Sequence, residues 1–371
     1  MSARLHVCLL ASEFFGLGIA GGFGFATRSL GRQLVAAGHR VSVVIPRPRH
    51  VDGMAVEIDG IQVFTYPRSK VFLHDALFVK LGADVYHSQE PSLSTYVAQR
   101  AAPHAVHVVT SRDPRTFHDW CIEFAYPSHT RIGLLRTAAF YENPFTRRAV
   151  RAADRVFVPA RCLAVKVKKK YGLVHPPSFM PTPVALPERP EIKASQPTVC
   201  YVGRLDRRKR PDRFFDLAAQ FPSIDFLVAG SAQDPRYAAW LKQRYADTPN
   251  LKMLGFVDQF ASRALADVFA RAWIMVNSAA REGLPNVFIE AAAHGCAIVS
   301  PHNPDEFASR FGRHCPDGDF AGAVQSLLCN DEWYRCGQAG AAYVARTNSL
   351  PLATAAHESA YRELLNAQCV G

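Results

Sequence analysis

The sequence contains no apolar run approaching the roughly 20 residues that a membrane-crossing helix requires. It also lacks a Cys-x-x-Cys pair. Its nine cysteines are scattered and odd in number, which argues against a zinc site or a disulfide framework. They read as buried or indifferent thiols of a reducing cytoplasm. No low-complexity tract and no repeat of solenoid length occurs. The N-terminus has none of the basic start, long apolar stretch and small-residue cleavage site of a secretion signal, so residues 5–11 read as a first β-strand. With 49% apolar residues in 371, the chain can fill the cores of two ordinary domains, and disorder is excluded.

What the sequence has in excess is positive charge, +11 in all. The excess is uneven. Residues 100–170 hold 14 basic and 5 acidic side chains, whereas residues 190–371 hold 19 of each. The run from Lys166 to Lys170 and the pair Arg147 and Arg148 stand in the basic part. A cationic face of this kind suits an anionic surface or a lipid phosphate. No nucleic-acid-binding signature accompanies it, so nucleic acid is not the expected partner.

Strand and helix patterns alternate along the chain. After the strand at 5–11 come a glycine loop at 16–24, a helix at 26–37 closed by Gly38, and a buried strand at 41–45. Further strands are predicted at 61–66, 85–87, 106–110 and 156–159. Seven prolines between Gly172 and Pro197 then interrupt regular structure and mark a linker. The pattern restarts with strands at 198–202, 225–229, 251–254, 274–276 and 297–300. A last helix, 352–366, follows Pro351. Alternation of this kind implies α/β domains, each a doubly wound parallel sheet, with ligands beyond the carboxyl ends of the strands in a cleft between them. The expected domains are residues 1–185, with helix 352–366 packing back onto them, and residues 190–350.

Two segments carry the chemistry. In the first, Glu282 precedes Gly283, Leu284, Pro285 and Asn286, and a helix follows that contains Glu290. The backbone amides of that turn and the helix dipole suit phosphate oxygens. Both glutamates can face one ligand laid across the helix start. In the second, Gly203, Arg204 and Leu205 follow the first strand of the second domain, and Lys209 comes four residues later. Arg204 offers a planar fork to phosphate and Lys209 a compact charge. Fixed cations there stabilise a diphosphate whose charge grows as it leaves.

Taken together, Gly21 and Gly22 after the first strand, Gly203-Arg204-Leu205 with Lys209, and Glu282 with Glu290 resemble family 4 of the retaining glycosyltransferases. That family includes bacterial glycogen synthases, sucrose-phosphate synthases and lipid mannosyltransferases. The resemblance implies the GT-B fold, two Rossmann-like domains facing a central cleft, with the acceptor bound by the first and a UDP- or GDP-sugar by the second. It implies that Arg204 and Lys209 hold the donor diphosphate, Glu282 the sugar hydroxyls and Glu290 the ribose. Gly283, Leu284, Pro285 and Asn286 would line the phosphate turn, and Gly203, Phe256 and Val257 would lie beside the nucleotide. Gly21 and Gly22 would let the first domain approach the donor. His87 and Glu90 would stand on the acceptor side. No metal or other cofactor is implied. The acceptor would be a glycan, a glycolipid or a small molecule. One departure stands out. Where the family often has histidine near the reacting sugar, this chain has Arg112, with His118 six residues on and His107 on the preceding strand. Arg112 is expected to take over part of that histidine's catalytic work, stabilising the departing diphosphate or binding an anionic group of the acceptor, and His118 is expected on the acceptor side.

Two other functions fit parts of the sequence. A nucleotide-sugar 2-epimerase shares the fold. An NADP-dependent oxidoreductase would use Gly16, Gly18 and Gly21 with Arg47, but the loop is long for a dinucleotide turn and no acidic residue closes the second strand.

Overall fold

The computed structural model describes residues 3–18, 21–48, 55–128, 130–189 and 191–370. The chain divides into two compact units: residues 1–114, 135–183 and 350–371 form the first, and residues 115–134 and 184–349 the second. Residues 115–134 fall within the first domain of the sequence reading but count with the second unit.

The first unit holds strands β1 (His6–Leu10), β2 (Arg40–Pro46), β3 (Ala55–Ile58), β4 (Ile61–Tyr66), β5 (Val85–Ser88), β6 (Val106–Thr110), β7 (Arg155–Val158) and β8 (Ser178–Phe179). They form one sheet in the order β3-β4-β2-β1-β5-β6-β7-β8, parallel except where β3 pairs antiparallel with β4. Asp59 and Gly60, both at positive φ, make the tight turn of that hairpin. The central strands are apolar on both faces, as in β1 and β2, because helices cover both sides of the sheet.

Helix Leu350–Val370 closes this unit: Ala360, Tyr361 and Leu364 join the core around Val7, Leu9 and Val43. Beneath it lies a buried polar cluster. Both ring nitrogens of His87 are hydrogen bonded, Nδ1 to the Tyr361 hydroxyl and Nε2 to Thr110 Oγ1, each at 2.7 Å. His357 donates from Nδ1 to Ala353 O at 2.8 Å. Burial, then His357 and Arg112, hold the His87 imidazole well below its ordinary pKa. Burial and the Arg112 charge bring His357 down to about 4, against a backbone hydrogen bond that raises it.

The second unit holds β9 (Thr198–Val202), β10 (Asp225–Ala229), β11 (Leu251–Gly255), β12 (Ile274–Val276), β13 (Ala297–Ser300) and β14 (Gly312–His314), all parallel, in the order β11-β10-β9-β12-β13-β14. Val199, Tyr201, Phe214 and Phe226 fill one face of the sheet, and Cys200, Met275, Phe288 and Ile298 the other. Among the described residues, no helix is long and apolar enough to cross a membrane.

Candidate functional site

The site of the second unit begins where β9 and β10 end. A Cβ on Gly230 would lie 1.8 Å from the carbonyl oxygen of Gly203, so only glycine permits the two strand ends to meet. Gly203 N donates to Ala229 O at 3.0 Å, and Gly230 N to Gly255 O at 2.8 Å. The loop leaving β9 is then pinned at intervals. Leu205 N donates to Ser231 O and the Tyr201 hydroxyl to Arg204 O, each at 3.0 Å. Lys209 N donates to Asp206 Oδ1 at 3.0 Å. Arg210 follows in the left-handed region at φ 50°, its guanidinium on Asp212, and Pro211 opens the next helix.

A second loop, after β12, comes against the first. Ala280 N donates to Arg208 O at 2.8 Å, and Ser278 Oγ to the carbonyls of Lys209 and Arg210. The ammonium of Lys209 is paired with Glu282 Oε1, which also accepts from Asn277 Nδ2 at 3.2 Å. Burial pushes the Glu282 carboxyl up. The charges of Lys209 and Arg208, the Lys209 hydrogen bond and His302 together outweigh it and hold Glu282 below the ordinary carboxylate value. Arg204 lies nearby in sequence with Nη2 at 3.4 Å from Asp206 Oδ2, its side chain about a quarter exposed.

Helix Asn286–Ala293 starts just after Glu282, with Pro285 as its N-cap. Gly283, Leu284, Asn286 and Glu290 are half-buried, and Leu284 packs against the core. Glu290 has its carboxyl pushed up to about 7 by burial, with no neighbouring charge contributing among the described residues. Phe256 is exposed on the loop after β11, next to Val257, which packs inward. Arg204, Lys209, Glu282, Glu290, Phe256 and Val257 all belong to this one unit, on loops at strand ends or on the helix that follows.

In the first unit, Gly21 caps helix Gly22–Ala36, and the carboxylate of Glu13 accepts from the amides of Gly21 and Gly24 at 2.8 and 3.0 Å. An acidic side chain therefore takes the positive end of that helix. His87 is fully buried with both nitrogens engaged, which leaves neither for an acceptor. Glu90 is buried and accepts from the amides of Arg112 and Asp113. The Arg112 guanidinium is buried, donating to Thr182 Oγ1 at 2.9 Å and Gln89 Oε1 at 2.6 Å. Burial brings it down to about 10, against the raising pull of Glu90 and Tyr361. His107 stacks on Tyr86 and bonds to Ala102 O. His118 is exposed on helix Phe117–Ala125, which counts with the second unit.

The sequence reading misses Arg208, Arg281, Asn277, Ser278 and His302 around the Lys209–Glu282 pair. Arg208 and Arg281 adjoin the residues it singles out, so adjacency was their only signal. It also misses Asp119 and Glu123, on a helix more than 80 residues upstream; no local pattern marks them.

The first part of the chain, residues 21–178, matches the family model described as glycosyl transferase 4-like domain. Residues 196–330 match the model described as glycosyl transferases group 1. The chain belongs to the glycosyltransferases. No curated protein matches the sequence. Among solved structures, this glycosyltransferase is similar to sucrose-phosphate synthase from Thermosynechococcus elongatus at 20% identity and TM-score 0.72, covering 98% of this chain and 100% of that one. It is similar to Anabaena HepE in complex with UDP-glucose at 14% identity and TM-score 0.70, covering 98% and 100%. The catalytic domain of starch synthase IV from Arabidopsis thaliana, bound to ADP and acarbose, is 11% identical with TM-score 0.65, again over 98% and 100%. These likenesses give the fold, GT-B, with its two Rossmann-like α/β domains. In this glycosyltransferase the glycines at 16, 18 and 21 are therefore not a dinucleotide fingerprint. The span from Leu10 to Gly22 is too long for that turn, and Arg47 donates its Nε to Thr65.

Proposed function

We propose that the protein is a retaining glycosyltransferase of the cytoplasm that takes its sugar from a UDP- or GDP-sugar and needs no metal. The hydroxyl acceptor would be a glycan, a glycolipid or a small molecule. The observation that carries this reading is the Lys209–Glu282 pair, set between the Arg204 loop and the start of helix Asn286–Ala293. An ammonium paired with a carboxylate can change partners at little cost. When donor binds, its diphosphate takes Lys209 and Arg204, and Glu282 is left to accept from sugar hydroxyls. Glu290, near its midpoint at neutral pH, ionises as it accepts from ribose. The bond from the sugar C1 to the phosphate breaks, and the acceptor oxygen bonds C1 on the same face. The departing phosphate takes the acceptor proton, so no protein base is required. Arg204, Lys209 and the helix N-terminus supply the positive field that a metal gives elsewhere.

A thermal-shift series with UDP, GDP, ADP, their sugars and the plain nucleosides tests the donor site. One nucleoside diphosphate is expected to raise the melting temperature, since it binds only the folded state. Arg204→Ala is expected to weaken that diphosphate about tenfold and the matching nucleoside hardly at all. Equal effects on both would remove Arg204 from the phosphate site.

We also propose peripheral contact between the first unit and anionic membrane. Arg147, Arg148, Lys168 and Lys169 are exposed there together with Val165 and Val174, while Lys170 is held by Glu142. Sedimentation with vesicles containing anionic lipid is expected at low salt and lost as salt rises. Changing Lys168 and Lys169 to glutamate is expected to reduce it severalfold. Sedimentation unchanged in that variant would leave these charges as a solvated face.

A further inference from the structure

We infer that Glu123 is a positioning residue of the donor site, an inference that rests on the reading of Arg204, Lys209 and Glu282 as the groups that meet the donor. The helix that bears it, Phe117–Ala125, is set by a capping box. Thr116 N and Oγ1 both donate to Asp119 Oδ2, at 2.6 and 2.7 Å, and Asp119 N points back to Thr116 Oγ1. Asp119 and Glu123 are four residues apart and so lie on one face. Both are buried.

That face meets the two loops of the site. Glu123 Oε1 accepts from Arg208 Nη1 at 2.8 Å and from Arg281 Nη1 at 3.2 Å, with Arg115 Nε at 3.5 Å. Asp119 Oδ1 lies 3.0 Å from Arg281 Nε as an ion pair. Arg208 adjoins Lys209 and Arg281 adjoins Glu282. One carboxylate oxygen thus holds the neighbours of both members of the central pair. Arg281 and Glu123 are each only 4% exposed at the side chain, so little water screens the arrangement.

Charge explains why the acid matters. Without Glu123, Asp119 alone would be left to balance Arg281, Arg208 and Arg115, and the Arg208 and Arg281 guanidinium groups would repel. Arg208, which already lowers the Glu282 carboxyl, would be free to compete with Lys209 for it. The ammonium and carboxylate that the donor must find would then no longer be held in register. Glu123 itself touches neither donor nor acceptor. It acts through two arginines.

The test is isothermal titration of UDP, GDP and ADP, and of the matching nucleosides, into the full-length chain. In Glu123→Gln, affinity for the preferred nucleoside diphosphate is expected to fall tenfold or more, with the nucleoside changed less than twofold. Glu123→Gln combined with Arg208→Gln is expected to recover part of that loss, because the uncompensated charge is gone. Glu123→Asp keeps the charge and is expected to fall between. If Glu123→Gln does not fold, Glu123→Asp carries the same comparison. An unchanged ratio of diphosphate to nucleoside affinity, with lowered melting temperature only, overturns the inference and leaves Glu123 as a structural anchor. Additive single and double losses also overturn it. Lys209→Ala serves as the control. If that variant binds diphosphate like wild type, or if wild type binds none, the donor-site reading itself fails.

Discussion

Glu282→Ala is expected to lower kcat by about 10²–10³, the range seen when one preorganised group that stabilises a transition state is removed. Two effects add in one direction. The sugar loses the carboxylate that would orient its hydroxyls, and Lys209 loses the partner that holds its ammonium in place. Stability is expected to fall much less. Breaking a deeply buried ion pair costs about 3–5 kcal/mol, but the Lys209 side chain is 21% exposed and water recovers part of that. A loss of about 1–2 kcal/mol follows, read as a drop of a few degrees in melting temperature. Glu282→Gln keeps the shape and removes the charge, and is expected to lie between. The check is steady-state kinetics with the donor identified by the thermal-shift series. Normal turnover in Glu282→Ala would remove this carboxylate from the chemistry.

Acid is expected to unfold the first unit earlier than its carboxylates alone would. His87 and His357 are buried neutral beside Arg112, which remains charged. A histidine lowered on folding favours the unfolded state once protons are available. Its contribution is complete above the unfolded value of about 6.5 and is lost as pH falls through the folded value. For His357, at about 4, the window runs from pH 6.5 down to 4, and the loss across it is about 3 kcal/mol. His87 adds in the same direction. Denaturant melts at several pH values measure this. His357→Leu is expected to flatten the slope between pH 6.5 and 4, and an unaltered slope would assign the acid loss to other groups.

The local part of this protein was legible in its sequence. Apolar runs such as those of β1, β2 and β9 declare buried parallel strands, since helices cover both faces of each sheet. Lys209 and Glu282 could be singled out because each sits in a short motif at a strand end. Where sequence failed, the missing information was long-range. β3 is exposed and exists only through the turn at Asp59 and Gly60, so no core-facing alternation marks it. β14 spans three residues and ends the sheet beside β13, too short to carry a periodicity. His87 is singled out only through the family resemblance; it lies within β5, and Tyr361, 274 positions away, occupies one of its nitrogens. Glu123 reads as one acid in a basic region. Its partners Arg208 and Arg281 lie 85 and 158 positions downstream, and no pattern within a window of a few turns can pair them.

The route of the backbone bears on how such enzymes can be recombined. The chain leaves the first unit at residue 115, returns at 135, leaves again at 184 and returns at 350. A second half transplanted between relatives through a single junction near residue 184 would carry Arg208 and Arg281 but leave behind the acids that hold them. The hybrid would combine arginines from one parent with a helix from the other that was never selected to receive them. A graft that also exchanges residues 115–134 keeps the set intact. Chimeras with two junction pairs are therefore expected to retain donor use where single-junction ones lose it, even when both parents accept the same nucleotide.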